Sequence, residues 1–153
     1  MKLYEIIDQH KSRGILLFVD MDGVLAEYDI GNFDYSTIRP LKSNIEKIKG
    51  FCEDVDIEVY LLSVCKTNRI VKDKVVWLGE HMSFLKDKQM IFLSKEAENY
   101  NGESSVALKS NYLKDVNSEG KTIMLIDDDI SIIKYVVKNN PDVIVFQDSS
   151  LID

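Results

Sequence analysis

Hydrophobic positions along the chain alternate between two kinds of pattern. Short apolar runs rich in branched residues occur at 15–19, 57–62, 90–93, 122–126 and 143–146. Each reads as a strand, and a run such as Ile15-Leu16-Leu17-Phe18-Val19, with no polar residue at all, reads as a strand buried on both faces. Between these runs the apolar residues return at helical spacing. They do so at Leu3, Ile6 and Ile7; at Leu41, Ile45 and Ile48 within 40–51; and at Ile70, Val71, Val75, Trp77, Leu78 and Leu85 within 66–86. They do so again at Val106, Leu113 and Val116 within 105–117, and residues 130–139 complete the set. Strands that alternate with helices need right-handed crossovers, which put parallel strands in the middle and helices on both faces. The expected fold is therefore α/β, a three-layer Rossmann-like parallel sheet.

The breaks sharpen this outline. Residues 27–40 carry Tyr28, Phe33 and Tyr35 among Gly31 and Pro40 and are too interrupted for a helix. They follow the first strand directly, so they should arch over its end, with the aromatic rings either filling the loop or touching a ligand. A loop at 94–104 and the Asn140-Pro141 break separate the later elements. At 153 residues the chain suits one ordinary domain, residues 1–153.

Candidate chemistry gathers where strands end. The first strand runs into Asp20-Met21-Asp22-Gly23, the second into Ser63 and the fourth into Asp127-Asp128-Asp129. In parallel sheets, ligands bind outside the carboxyl ends of the strands. Uncompensated buried charge is costly, so Asp20 and Asp22, two apart and able to converge, require a metal, a basic side chain or water. Lys109 falls on the inward stripe of its helix, three residues from Val106 and four from Leu113, and near the helix start. Lys95, just after the third strand, is an alternative that could reach the same place. Asp129 is simplest as a helix cap. His10 and His81 stand alone, and Trp77 suits packing better than a ligand platform.

Composition narrows the function. The formal net charge of −7 argues against a surface for the phosphate backbone of nucleic acids and fits an acidic pocket answered by a cation. Cys52 and Cys65 have no metal-ligand or disulfide spacing and read as reduced thiols, which implies a reducing compartment. Glu5 and Asp8 interrupt the first helix, so it is expected to be neither a signal peptide nor a membrane span, and the protein to be cytoplasmic.

Asp20-Met21-Asp22-Gly23-Val24-Leu25, after a hydrophobic strand, resembles the first motif of the haloacid dehalogenase superfamily phosphatases, and its wording is most similar to the 5'-nucleotidase and deoxyribonucleotidase branch. Ser63, Lys109 and Asp127-Asp128 resemble the family's later motifs in order. A response-regulator receiver uses similar residues, but its acidic pair comes early and its phosphorylated aspartate ends the third strand, where this chain has Leu93-Ser94.

The resemblance implies a Mg²⁺-dependent phosphomonoester hydrolase. Asp20 would be the nucleophile, and Asp22 would protonate the leaving group and then deprotonate water. Ser63 and Lys109 would bind the phosphoryl group. Mg²⁺ would be held by Asp20, Asp127 and the backbone carbonyl of Asp22, with Asp128 outside or through water. The stretch after Asp22 leaves no room for the full cap domain of larger members. A small phosphorylated substrate, possibly a nucleotide, is expected. The alternatives are a phosphatase of polynucleotide ends or phosphoproteins, and a non-catalytic phosphate- or metal-binding module.

Overall fold

The five apolar runs become five parallel strands in the computed structural model, which describes residues 2–152. They are β1 (Ile15–Val19), β2 (Ile57–Cys65), β3 (Met90–Ser94), β4 (Thr122–Asp127) and β5 (Val143–Gln147), in the order β3-β2-β1-β4-β5. The apolar β1 takes the centre, paired on both edges and buried at every residue. Its register sets Val19 beside both Leu61 and Ile126, so the chain segments that follow leave the sheet at one level.

Helices α1 (Leu3–His10), α2 (Lys42–Cys52) and α3 (Asn68–His81) pack on one face, and α4 (Ser105–Asp115) and α5 (Ile130–Asn139) on the other. Alternation along the strands divides the core accordingly. Leu17, Val19 and Leu61 join Ile7, Ile48 and Trp77, while Leu16, Phe18, Leu62 and Leu125 join Leu113 and Val136. Burying each of these large side chains contributes about 1.5–3 kcal/mol, which makes the two faces the main source of stability. Among the described residues no helix is long and apolar enough to cross a membrane.

Among the described residues, three α-helix starts are capped by the side chain that precedes them. Thr67, Ser104 and Asp129 accept hydrogen bonds from the backbone N–H groups of Ile70, Ala107 and Ser131. The expected cap role of Asp129 is thus observed.

Two sequence expectations need correction. The helix drawn over 66–86 ends at His81, and Leu85 packs from the turn beyond it. Ser63 lies inside β2, which continues to Cys65, because β3 supplies Phe92 and Ser94 as pairing partners there. Residues 20–41 form a small flap whose one regular piece is a single 3-10 turn, Tyr35–Thr37. Trp77, buried in α3, donates from Nε1 to the Ile38 carbonyl at 3.0 Å and ties the flap to the helix layer.

Candidate functional site

Alternation decides which side of the sheet each polar residue meets. Asp20 continues the Leu16 and Phe18 face of β1, and Asp127 continues the Leu125 face of β4, so both project toward α4. There Lys109, buried at 1 % exposure, places Nζ 2.9 Å from Asp20 Oδ1 and 2.6 Å from Asp127 Oδ2. The second Asp127 oxygen accepts from the Asp129 backbone N–H at 3.0 Å. Lys95 makes no ion pair with this group; its backbone N–H bonds the Cys65 carbonyl.

The electrostatics follow from the count of charges. Two buried carboxylates share one ammonium. Burial, opposed by Lys109 and reinforced by Asp127, pushes Asp20 up to about 8, while the same two carboxylates outweigh burial and raise Lys109. Both directions express one imbalance: the ammonium is held charged, and one negative charge is left without a partner. Burial and the Asp127 charge raise Asp128 as well.

Asp20, Asp127 and Asp128 each offer a carboxylate oxygen within 4.8 Å of the others. Hard oxygen donors in a small set, with an uncompensated charge, fit a divalent cation that keeps several waters. The approach of Asp128 requires Gly23, where the backbone has φ +83° and a Cβ would lie 1.9 Å from Asp128 Oδ2. The Asp22 carboxylate is not part of this group.

Asp22 turns the other way. The chain leaves β1 at Asp20 and folds back over Gly23, so that the Asp22 carboxylate meets α3 and the flap. Lys74 Nζ lies 2.8 Å from Asp22 Oδ2 and 2.8 Å from Ser63 Oγ, and the Tyr35 hydroxyl donates to Asp22 Oδ1 at 2.9 Å. Burial, then the neighbouring Asp22 charge, raises the Tyr35 phenol, which keeps it a proton donor. The direct partners of the Asp22 carboxylate are thus donors, an ammonium and a phenol hydroxyl.

Of the residues expected at the site, Asp20, Asp127, Asp128 and Lys109 come together on one side, and Asp22 and Ser63 on the other, around a lysine that the sequence reading missed. Lys74 stands four residues after Ile70 and three and four before Trp77 and Leu78, on the inward stripe of α3. The same signal that singled out Lys109 was present there. Val75, expected inward, is exposed in its place. Asp20 and Asp22 nevertheless line one cavity of about 260 Å³ with Tyr28, Asp128, Asp129 and Ile132. Tyr28 and Phe33 are exposed at the flap, whereas Tyr35 is buried.

No protein-family model matches the chain, and no curated protein matches it. Solved structures share its fold, among them the following two. A chain of the Pnkp1/Rnl/Hen1 RNA repair complex aligns with a TM-score of 0.64 at 17 % identity, over 89 % of this chain and 42 % of that one. The N-terminal part of a Bacteroides fragilis protein, containing a phosphatase domain complexed with Mg, aligns with a TM-score of 0.56 at 15 % identity, over 92 % and 38 %. The chain thus spans less than half of either. At such identities the likeness establishes the Rossmann-like α/β fold.

Proposed function

We propose that the protein is a Mg²⁺-dependent phosphomonoester hydrolase of the haloacid dehalogenase type, working through an aspartyl-phosphate and acting on a small phosphorylated substrate such as a 5'-nucleotide. The observation that carries this reading is the convergence of Asp20, Asp127 and Asp128 from two neighbouring strand ends, with Lys109 between Asp20 and Asp127. The neighbour complexed with Mg supports it.

In this reading Asp20 attacks phosphorus and forms an Asp20 O–P bond as the bond from phosphorus to the leaving oxygen breaks. Asp22 passes a proton to that oxygen, then accepts one from the water that attacks the aspartyl-phosphate and frees Asp20. Two Lys109 protons are engaged by Asp20 and Asp127, leaving a third for a phosphoryl oxygen. The Ser63 hydroxyl accepts from Lys74 and keeps its own proton to donate. Asp20, Asp127, Asp128 and the Asp22 carbonyl would hold Mg²⁺, whose charge would offset the carboxylates and the anionic substrate.

The test is phosphate release from an aryl phosphate. Activity should require Mg²⁺ and fall on the order of 10³-fold or more in Asp20→Asn. Activity without Mg²⁺, or undiminished in Asp20→Asn, would overturn the reading. Mg²⁺ binding by calorimetry with no turnover on a broad phosphate panel would favour a non-catalytic module.

A second reading, a phosphatase of polynucleotide ends, is favoured by the small flap with exposed Tyr28 and Phe33 and by the neighbour from an RNA repair complex. The acidic charge weighs against it. Comparing mononucleotides with 3'- and 5'-phosphorylated oligonucleotides decides between the two.

A further inference from the structure

Lys74 is 2 % exposed, and among the described residues its ammonium has no carboxylate partner other than Asp22 within ion-pair distance. A leucine or methionine would fill the same space in α3 without the cost of burying a charge. What the lysine adds is direction. An ammonium can only donate, so Ser63 Oγ must be the acceptor in their hydrogen bond, and the serine proton is turned elsewhere. The Asp22 carboxylate is pinned at both oxygens, one by Lys74 and the other by the Tyr35 hydroxyl. Two donors from different elements fix both the position and the plane of the carboxyl group.

The two donors are themselves braced. The Tyr35 ring lies with its centroid 5.7 Å from Lys74 Nζ. Trp77, one turn along α3 from Lys74, donates to the Ile38 carbonyl and so ties the flap to the helix that carries Lys74. The arrangement repeats across the sheet. Lys109 from α4 bridges groups on β1 and β4, and Lys74 from α3 bridges the chain after β1 to β2.

We infer that Lys74 and Tyr35 are positioning residues for proton transfer by Asp22: they aim its carboxyl group at the leaving-group oxygen, and Lys74 in addition turns the Ser63 hydroxyl toward the phosphoryl group. The inference rests on the phosphatase reading above and adds to it which residues orient the acid. During the first step the Asp22 proton goes to the departing oxygen as its bond to phosphorus breaks. In the second, the proton lost by the attacking water returns to Asp22. Lys74 and Tyr35 keep their own protons throughout.

A merely structural lysine and one that aims the acid differ in how variants respond to the leaving group. An alkyl phosphate needs a proton on its departing oxygen, whereas 2,4-dinitrophenyl phosphate expels a stable anion without one. Lys74→Met should lower kcat/KM, which reports transfer to Asp20 and not the later attack of water, about 10²-fold more on the alkyl phosphate than on the dinitrophenyl ester, and the loss common to both esters reports the Ser63 contact to the phosphoryl group. Tyr35→Phe should show the same asymmetry at about 10-fold, and Lys74→Arg should recover part of the loss. Because Tyr35→Phe keeps the ring in place, it decides the matter alone should Lys74→Met fail to fold. Equal losses on both esters, or no loss on the alkyl ester, would overturn the inference while the phosphatase reading stands. A wild-type protein inactive on both esters would instead remove that reading, and the inference with it.

Discussion

Asp20 and Asp127, from neighbouring strands, share a single ammonium, with Lys109 Nζ 2.9 Å from one and 2.6 Å from the other. Parallel register makes this meeting unavoidable: Val19 pairs with Ile126, and the next residue on each strand is an aspartate on the α4 side. The cluster is one positive charge short. That deficit is the physical basis for the expected response to metal, pH and mutation.

Removing the excess charge should cost the metal-free fold nothing. Asp20→Asn leaves Lys109 paired with Asp127 and removes the carboxylate that burial disfavours. In chelator at pH 8, its thermal midpoint should equal or exceed that of the wild type. Lys109→Met does the opposite by stranding two buried carboxylates, and should destabilise by about 3–5 kcal/mol. Denaturant melts of the two variants check both signs.

The same imbalance sets a pH dependence. Asp20 holds its proton in the folded state up to about 8, against the ordinary aspartate value of 3.8. Between those values the folded protein binds more protons than the unfolded chain, so stability is lost as pH rises. Asp128, also raised, adds to this slope, while Asp54, Glu58 and Asp129, all lowered, contribute stability that is lost only toward acid pH. The raised Lys109 contributes stability that persists below 10.5 and is lost only in alkali. Melts in chelator should therefore show wild-type stability falling from about pH 5 to 8 relative to Asp20→Asn. A flat difference would refute the assignment.

Mg²⁺ should stabilise the fold by binding the native carboxylates. At a hundred times its dissociation constant the gain is about 2.7 kcal/mol, read as a rise in Tm. Asp127→Asn should shrink the rise. Gly23→Ala should also shrink it, because the new methyl displaces Asp128, and the left-handed backbone there should cost roughly 1–2 kcal/mol in addition. An unchanged melting curve across millimolar Mg²⁺ would count against the metal site.

Most of the fold was legible because hydrophobic period alone separates buried parallel strands from helices that cover them. The first and last turns of helices were less so, since 66–86 keeps its apolar character past His81 where the backbone turns at Met82. At the site, Asp20, Asp127 and Lys109 could be placed by register and helical phase. Lys74 could have been placed in the same way, but an adjacent valine looked the better core residue. Lysine wins the inward position because its long stem packs like an aliphatic chain while its amine reaches Asp22 and Ser63. The bond from Tyr35 to Asp22 had no such signal, because an irregular flap carries no period from which side-chain direction can be read.

The flap should depend on Trp77 more than on its own hydrogen bonds. Its exposed part, including Ile30 and Phe33, buries little, and its return to the body passes through Ile38, whose carbonyl accepts from the buried indole. Trp77→Phe keeps an aromatic ring in the core but leaves that carbonyl unpaired, at a cost of about 1–3 kcal/mol. Local opening is governed by the same free energy, so cleavage within 27–40 by a dilute protease should quicken by a factor of roughly 5 or more. Because Tyr35 travels with the flap, the variant should also lose activity on alkyl phosphates in proportion. If proteolysis quickens while alkyl phosphate turnover is untouched, the flap does not hold Asp22 in its working position.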